Sequence, residues 1–295
     1  MAATTCRDVG TLNEALTAYE QGEALFLAPD RPRDLAGLIV PIHASLCSWR
    51  AETLALLGRF REALDAGKEG LRIASTISHA QTLSMGRSLL GHVYLLRGDP
   101  ESAVSVFESG LLGAEEDGVV VGIIANAAGL AAALALTGDT DRAADFLTRA
   151  EQARPAGARE LPVRLTKYRA MTVTVFLAMK RFDEALTVVG GGLELADAHG
   201  ARGYRAGLLR LRAEVQTELG LHEAAIQSLQ EGLNLATNIG QRAEMVRCCL
   251  GLGRVYRVRN EPSRAKEYLE QAAAIGRDVD MPRELLRIER EISSL

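Results

Sequence analysis

The chain has 295 residues, 47% of them hydrophobic and only 4% aromatic, with a formal net charge of −4. The apolar fraction is ample for a buried core, and the negative balance argues against nucleic acid as the default partner, since phosphate binding takes a basic surface. Residues 1–10 lack an apolar run behind a basic start, and the richest apolar stretch, 119–136, is diluted by alanine and glycine, so neither a secretory leader nor a spanning helix is read. The four cysteines (Cys6, Cys47, Cys248, Cys249) include no C-x-x-C pair and read as reduced structural thiols, which points to the cytoplasm and away from membranes.

A small residue recurs at Ala63, Ala103, Ala143, Ala185, Ala225 and Ala265, at intervals of 40, 40, 42, 40 and 40 residues. Five positions earlier stands a glycine (Gly58, Gly98, Gly138, Gly220), replaced in two copies by Lys180 and Asn260. Seven positions later stands another small residue: Gly70, Gly110, Ala150, Gly192, Gly232 or Ala272. A period of this size means stacked copies of one supersecondary unit.

In chain order, residues 1–28 match only the second half of a unit, through Gly10, Leu12, Ala15, Tyr19 and Gly22. Nine residues precede Gly10, too few for a full first helix, so this segment is expected to be a half unit, helix B alone, and favours a chain cut from something longer. The step from Ala15 to Ala63 is 48 residues, with the extra eight placed around residues 29–32 and Pro41, where proline interrupts a helix. Full units are expected over 34–80, 81–120, 121–160, 161–202, 203–242 and 243–280. A charged helix over 282–294 caps the single 1–295 array and keeps it soluble.

The unit at 81–120 displays the logic. Leu89, Val93 and Leu96 share one helical face, and Ala103, Val106, Phe107, Gly110 and Leu111 recur at three- and four-residue steps in a second helix. Between them Gly98 ends helix A, Asp99 caps helix B, and Pro100 fits its first turn. Ala103 lets the two helices of the hairpin approach, and Gly110 lets helix A of the next unit come near.

Small residue, aromatic three later, Gly, Ala and small again, as in Gly91, Tyr94, Gly98, Ala103, Phe107 and Gly110, resembles the tetratricopeptide repeat (TPR). Gly253, Tyr256, Asn260, Ala265, Leu269 and Ala272 repeat the pattern. At 40 residues the units exceed the roughly 34 of a TPR. Such long units resemble the sensor regions of MalT-like bacterial transcription regulators and the C-terminal regions of bacterial proteins joining a cyclase to an ATPase.

The resemblance implies an all-α fold, a right-handed superhelical α-solenoid of antiparallel helix hairpins. It also implies a concave groove lined by the A helices. Carried onto this sequence, the groove positions include Ser48, Glu52, Ser88, His92, Thr174, Arg210, Glu214 and Arg254, with Lys167, Arg247 and Arg257 one turn away. The middle of such a groove is small and neutral and its C-terminal end basic. The Lys and Asn pairing with which chaperone-binding TPR proteins clamp a terminal carboxylate is absent.

No nucleotide-binding, zinc-protease or nucleophile-elbow motif occurs. Gly190, Gly191 and Gly192 fall inside a helix B, and the five histidines lie in different units, with His79 and His199 near helix B ends. The sequence therefore reads as a non-enzyme without cofactor or metal. It is expected to be a protein–protein interaction scaffold, a regulatory or sensor module of a bacterial signalling or transcription-regulating protein. Its partner is a protein or peptide carrying acidic residues, and self-assembly stays open. The alternative is a small-molecule effector sensor of the MalT-like type.

Overall fold

The computed structural model describes residues 2–27, 36–155 and 162–295. Among these residues every regular element is a helix. In chain order they are α1 (Ala2–Val9), α2 (Leu12–Leu27), α3 (Ala36–Leu56), α4 (Phe60–Ile77), α5 (Ala80–Arg97), α6 (Pro100–Glu116), α7 (Val120–Thr137) and α8 (Thr140–Gln152). They continue as α9 (Pro162–Ala178), α10 (Phe182–Ala198), α11 (Arg202–Glu218), α12 (His222–Ile239), α13 (Arg242–Val258), α14 (Pro262–Asp278) and α15 (Pro282–Ser293). The chain divides into two compact units. One comprises residues 1–7, 11–55 and 59–159, and the other residues 8–10, 56–58 and 160–295.

The turn inside each hairpin follows from backbone sterics. Gly98 has φ 81°, and its N–H donates to Leu95 O at 3.1 Å while that of Asp99 donates to Tyr94 O at 2.9 Å. Asp99 then accepts from the Ser102 N–H at 3.4 Å, and Pro100 stands in the first turn of α6. The same left-handed conformation is imposed on the two replacements, Lys180 at φ 57° and Asn260 at φ 60°. The register therefore demands the conformation even where the residue is unsuited to it.

Small residues set how near the helices come. In the first unit the Phe107 ring, 0% exposed, is seated between α5 and α7. A Cβ built on Gly91 would stand 2.7 Å from that ring and one on Gly129 2.3 Å. A Cβ on Gly110 would lie 2.1 Å from Asn126 Oδ1 on α7, the next helix A, as the spacing predicts. Asn126 is fully buried and donates through Nδ2 to Gly122 O at 2.8 Å and Ser84 O at 3.2 Å. Successive helices pack on one another from α4 to α8 and from α9 to α15, and A helices also touch directly: α5 on α7, then α9 on α11 and α11 on α13. In the second unit Val173, Ala185, Val189, Leu208, Leu209 and Val215 form one core cluster.

Several expectations are corrected. Residues 1–28 are not helix B alone: the eight-residue α1 precedes α2, because a single short turn at Gly10 suffices to reverse the chain (φ 91°). Pro41, expected to loosen the start of a helix, stands inside α3 near its beginning at Ala36, while residues 29–32 lie outside the described residues. His79 serves the helix that follows it, not the one before: its Nδ1 accepts from the Thr82 N–H at 3.3 Å and caps α5. α7 is long and apolar enough by length and composition to cross a membrane, contrary to the sequence reading, yet 72% of it is buried among protein. α15, expected to be charged on most faces, turns Ile288 inward, where it is fully buried.

Relieving the left-handed strain at exposed Lys180 is expected to stabilise the protein. Lys180→Gly removes a steric cost of about 1 kcal/mol, part of which is offset by the greater freedom of glycine in the unfolded chain. Urea denaturation should show a higher midpoint for Lys180→Gly and a smaller rise for Asn260→Gly, because asparagine already tolerates this region. An unchanged or lower midpoint at Lys180 contradicts this account of the turn.

Candidate functional site

The A helices present one face that the hairpin packing leaves free of helix B: α3, α5 and α7 in the first unit, and α9, α11, α13 and α15 in the second. Side chains one helix apart on this face are 34–45 residues apart in sequence, so charges there meet across units of the repeat.

In the first unit the face is closed by its own contacts. Glu52 on α3 is 1% exposed and accepts from Arg7 Nη1 of α1 at 2.7 Å. Its other oxygen lies 2.7 Å from His92 Nδ1 of α5, which is placed to donate to it. Ser48 is buried and donates to Ala44 O at 2.9 Å, and Ser88 is buried too. The four residues assigned to a groove here are thus part of the packed interior. The physical reason is that helix α1, which the sequence did not reveal, brings Arg7 onto Glu52. Farther along, Ala128 and Ala132 on α7 are also buried.

In the second unit the face is more open. Lys167 and Thr174 on α9 are half-buried, and the Thr174 hydroxyl donates to Ala170 O at 3.0 Å. Arg210 on α11 donates to Glu244 Oε2 of α13 at 2.8 Å and to the exposed Glu214 on its own helix at 2.6 Å. Arg247 lies 3.1 Å from Glu244 and 3.4 Å from Glu284 of α15. Arg254 and Arg257 share Glu291 of α15, at 2.8 and 2.6 Å, and Arg257 also donates to Ser294 Oγ at 3.1 Å.

The expected basic end is corrected accordingly. Arg210 and Arg247 do not offer free positive charge, because glutamates 34 and 37 residues downstream neutralise them. Burial alone would raise the Glu244 carboxyl, but the charges of Arg210 and then Arg247 outweigh it and lower it from 4.5 to about 2. Burial works against the charge of Arg210, yet Glu244 and Glu214 raise its pKa above the ordinary value. Glu244, Glu284, Glu291, Arg287 and Arg290 escaped the sequence reading. The signal was present as acidic residues recurring about 37 positions after the arginines, on the next helix A.

Burial pushes the Cys47 and Cys249 thiols up to about 12 and raises Cys248 too, which keeps them protonated and poor nucleophiles. All four cysteines are unpaired by disulfides, as read from the sequence. Among the described residues no group of three His, Cys, Asp or Glu could hold a metal ion. Tyr256 is buried and stacks on Tyr268 at 5.6 Å, so it builds core rather than an open aromatic platform.

Comparison with known proteins agrees with the helical pattern. The family model described as the MalT-like TPR region matches residues 2–240. No curated protein matches the chain. Among solved structures, the Rap conjugation gene regulator of plasmid pLS20, in complex with the Phr* peptide, is similar with a TM-score of 0.70 and 15% identity, over 94% of this chain and 72% of that one. A signal transduction ATPase with numerous domains and a tetratricopeptide repeat sensor, from Pyrococcus horikoshii, gives a TM-score of 0.59 at 15% identity; 94% of this chain spans 42% of that one. A Rap protein complexed with competence and sporulation factor gives 0.57 at 9% identity, over 99% and 95% of the two chains.

Because Glu244 is held well below 4.5 in the folded state, its stabilising effect is full above that value and fades as the pH falls toward about 2. Glu244→Gln leaves Arg210 and Arg247 without their shared carboxylate and should cost about 3 kcal/mol at neutral pH. In urea denaturation the wild type should keep its advantage over the variant from pH 7 down to 4.5 and lose it progressively as the pH falls further toward about 2. A constant difference over that range contradicts the assignment.

Proposed function

The chain belongs to the MalT-like TPR family, and from that premise we propose that it is a non-catalytic interaction module that holds a partner peptide on the A-helix face of its second unit. The observation that carries this reading is the contrast between the two units. In the first, polar residues of the A face are buried and satisfied internally. In the second, Lys167, Thr174, Arg210, Glu214, Arg254 and Arg257 remain partly or fully accessible on neighbouring helices. Rows of paired charges of this kind give register and orientation to an extended or helical segment laid across them.

The wider setting is a regulatory or sensor part of a bacterial signalling or transcription-regulating protein, in the cytoplasm. Support comes from the family match and from the Rap proteins, which share the fold and are described with peptides bound. A small-molecule effector site finds less support, since aromatic residues are only 4% of the chain and Tyr19, Phe60, Phe107, Tyr168 and Tyr256 among them are buried in the core. The matched family is a helical-repeat family and not an enzyme family.

Peptides selected by display against the whole chain provide the test. Thr174→Arg puts a long charged side chain on α9 and should weaken the selected peptides at least tenfold, with the melting temperature unchanged. Asp145→Arg on α8, a helix B, should leave binding as it is. Equal binding by both variants places the partner elsewhere and overturns the reading.

A further inference from the structure

We propose that the C-terminal end of the A face, between α13 and α15, is an anion-recognition site for the carboxylates of an acidic peptide. The inference deepens the peptide-binding reading and rests on it.

The argument starts from a charge count. Farther up the face each arginine is answered: Arg210 by Glu244 and Glu214, and Arg247 by Glu244 and Glu284. At the last step the pattern breaks, because among the described residues Arg254 and Arg257 have one carboxylate between them, Glu291. One turn away on α15, Arg287 and Arg290 point into the same place. Both are exposed, and among the described residues neither has an ion pair. Arg287, Arg290, Glu291 and Ser294 line an open depression of about 330 Å³, and Arg257 reaches Ser294 from the other side.

Arg254 and Arg257 thus share one carboxylate, and Arg287 and Arg290 line the depression beside it without pairing to it. Guanidinium forks bind carboxylates in a bidentate manner, and Arg254 and Arg257 are already held in position by Glu291, which lowers the ordering cost of recruiting them. The local surplus of positive charge stands out on a chain whose overall charge is −4. An acidic peptide fits better than a nucleic acid. No aromatic side chain lines the depression, so bases would find nothing to stack on, and the net charge of the chain repels a long polyanion.

The site differs from the one read from sequence. There, Arg210 and Arg247 were grouped with Arg254 and Arg257. Pairing removes the first two, and Arg287 and Arg290 take their place.

The test uses labelled hexaglutamate as the probe, measured by fluorescence anisotropy against the whole chain at low and physiological salt. Wild type should bind it, more weakly as salt rises, and should not bind hexalysine. Arg287→Glu combined with Arg290→Glu should lose at least tenfold in affinity. A control with the same change of net charge, Lys266→Glu with Arg277→Glu on α14, should bind as wild type does; both of its residues are exposed. Absence of hexaglutamate binding to wild type, equal loss in the control, or tighter binding of hexathymidylate overturns the proposal. The Thr174→Arg variant separates the two readings. Display-selected peptides that need Thr174 but ignore Arg287 and Arg290 leave the peptide-binding face standing and overturn the anion site. Hexaglutamate binding that depends on the two arginines, in a protein for which no peptide needs Thr174, supports the anion site and removes the wider face.

Discussion

The structure depends on how closely neighbouring helices approach at the small residues. Phe107 can fill the space between α5 and α7 only because Gly91 and Gly129 present no Cβ to its ring. Asn126 reaches its acceptors on α5 and α7 only because Gly110 is bare. Dense interiors tolerate little extra volume, so these positions fix the distance between A helices. With that distance fixed, a side chain on one A helix lies within an ion-pair length of the next, and the face becomes a set of charge contacts spaced one repeat apart.

Much of this was legible from the chain. The 40-residue register gave the hairpins, the left-handed turn position and the cap at Asp99, because each depends on local sterics and hydrogen bonding. Even the departures were informative: Lys180 and Asn260 break the glycine pattern and still adopt positive φ. The candidate face was less legible. Its positions followed from the repeat, but whether an arginine there is free or neutralised depends on a partner some 37 residues away, and register within the repeat does not reveal pairing between repeats. Arg7 was missed for another reason: a helix of eight residues carries too few turns to show a periodic apolar face.

The two compact units divide the labour. In the first, Glu52 between Arg7 and His92 gives a closed polar interior whose value is structural: a carboxylate buried with two hydrogen-bonding partners would be costly to expose or to leave unpaired. In the second, the same face carries accessible charges that are mostly, but not wholly, balanced. On the proposed reading, balance confers orientation without strong non-specific attraction, and the imbalance at α15 is where an acidic segment would gain most.

Hydrogen exchange of the protein with and without a display-selected peptide tests the central claim most directly. Binding on the A face predicts slower exchange in α9, α11 and α13, with α15 protected further by an acidic peptide and the B helices α10, α12 and α14 unchanged. Protection confined to the B helices, or to the first unit, would contradict it.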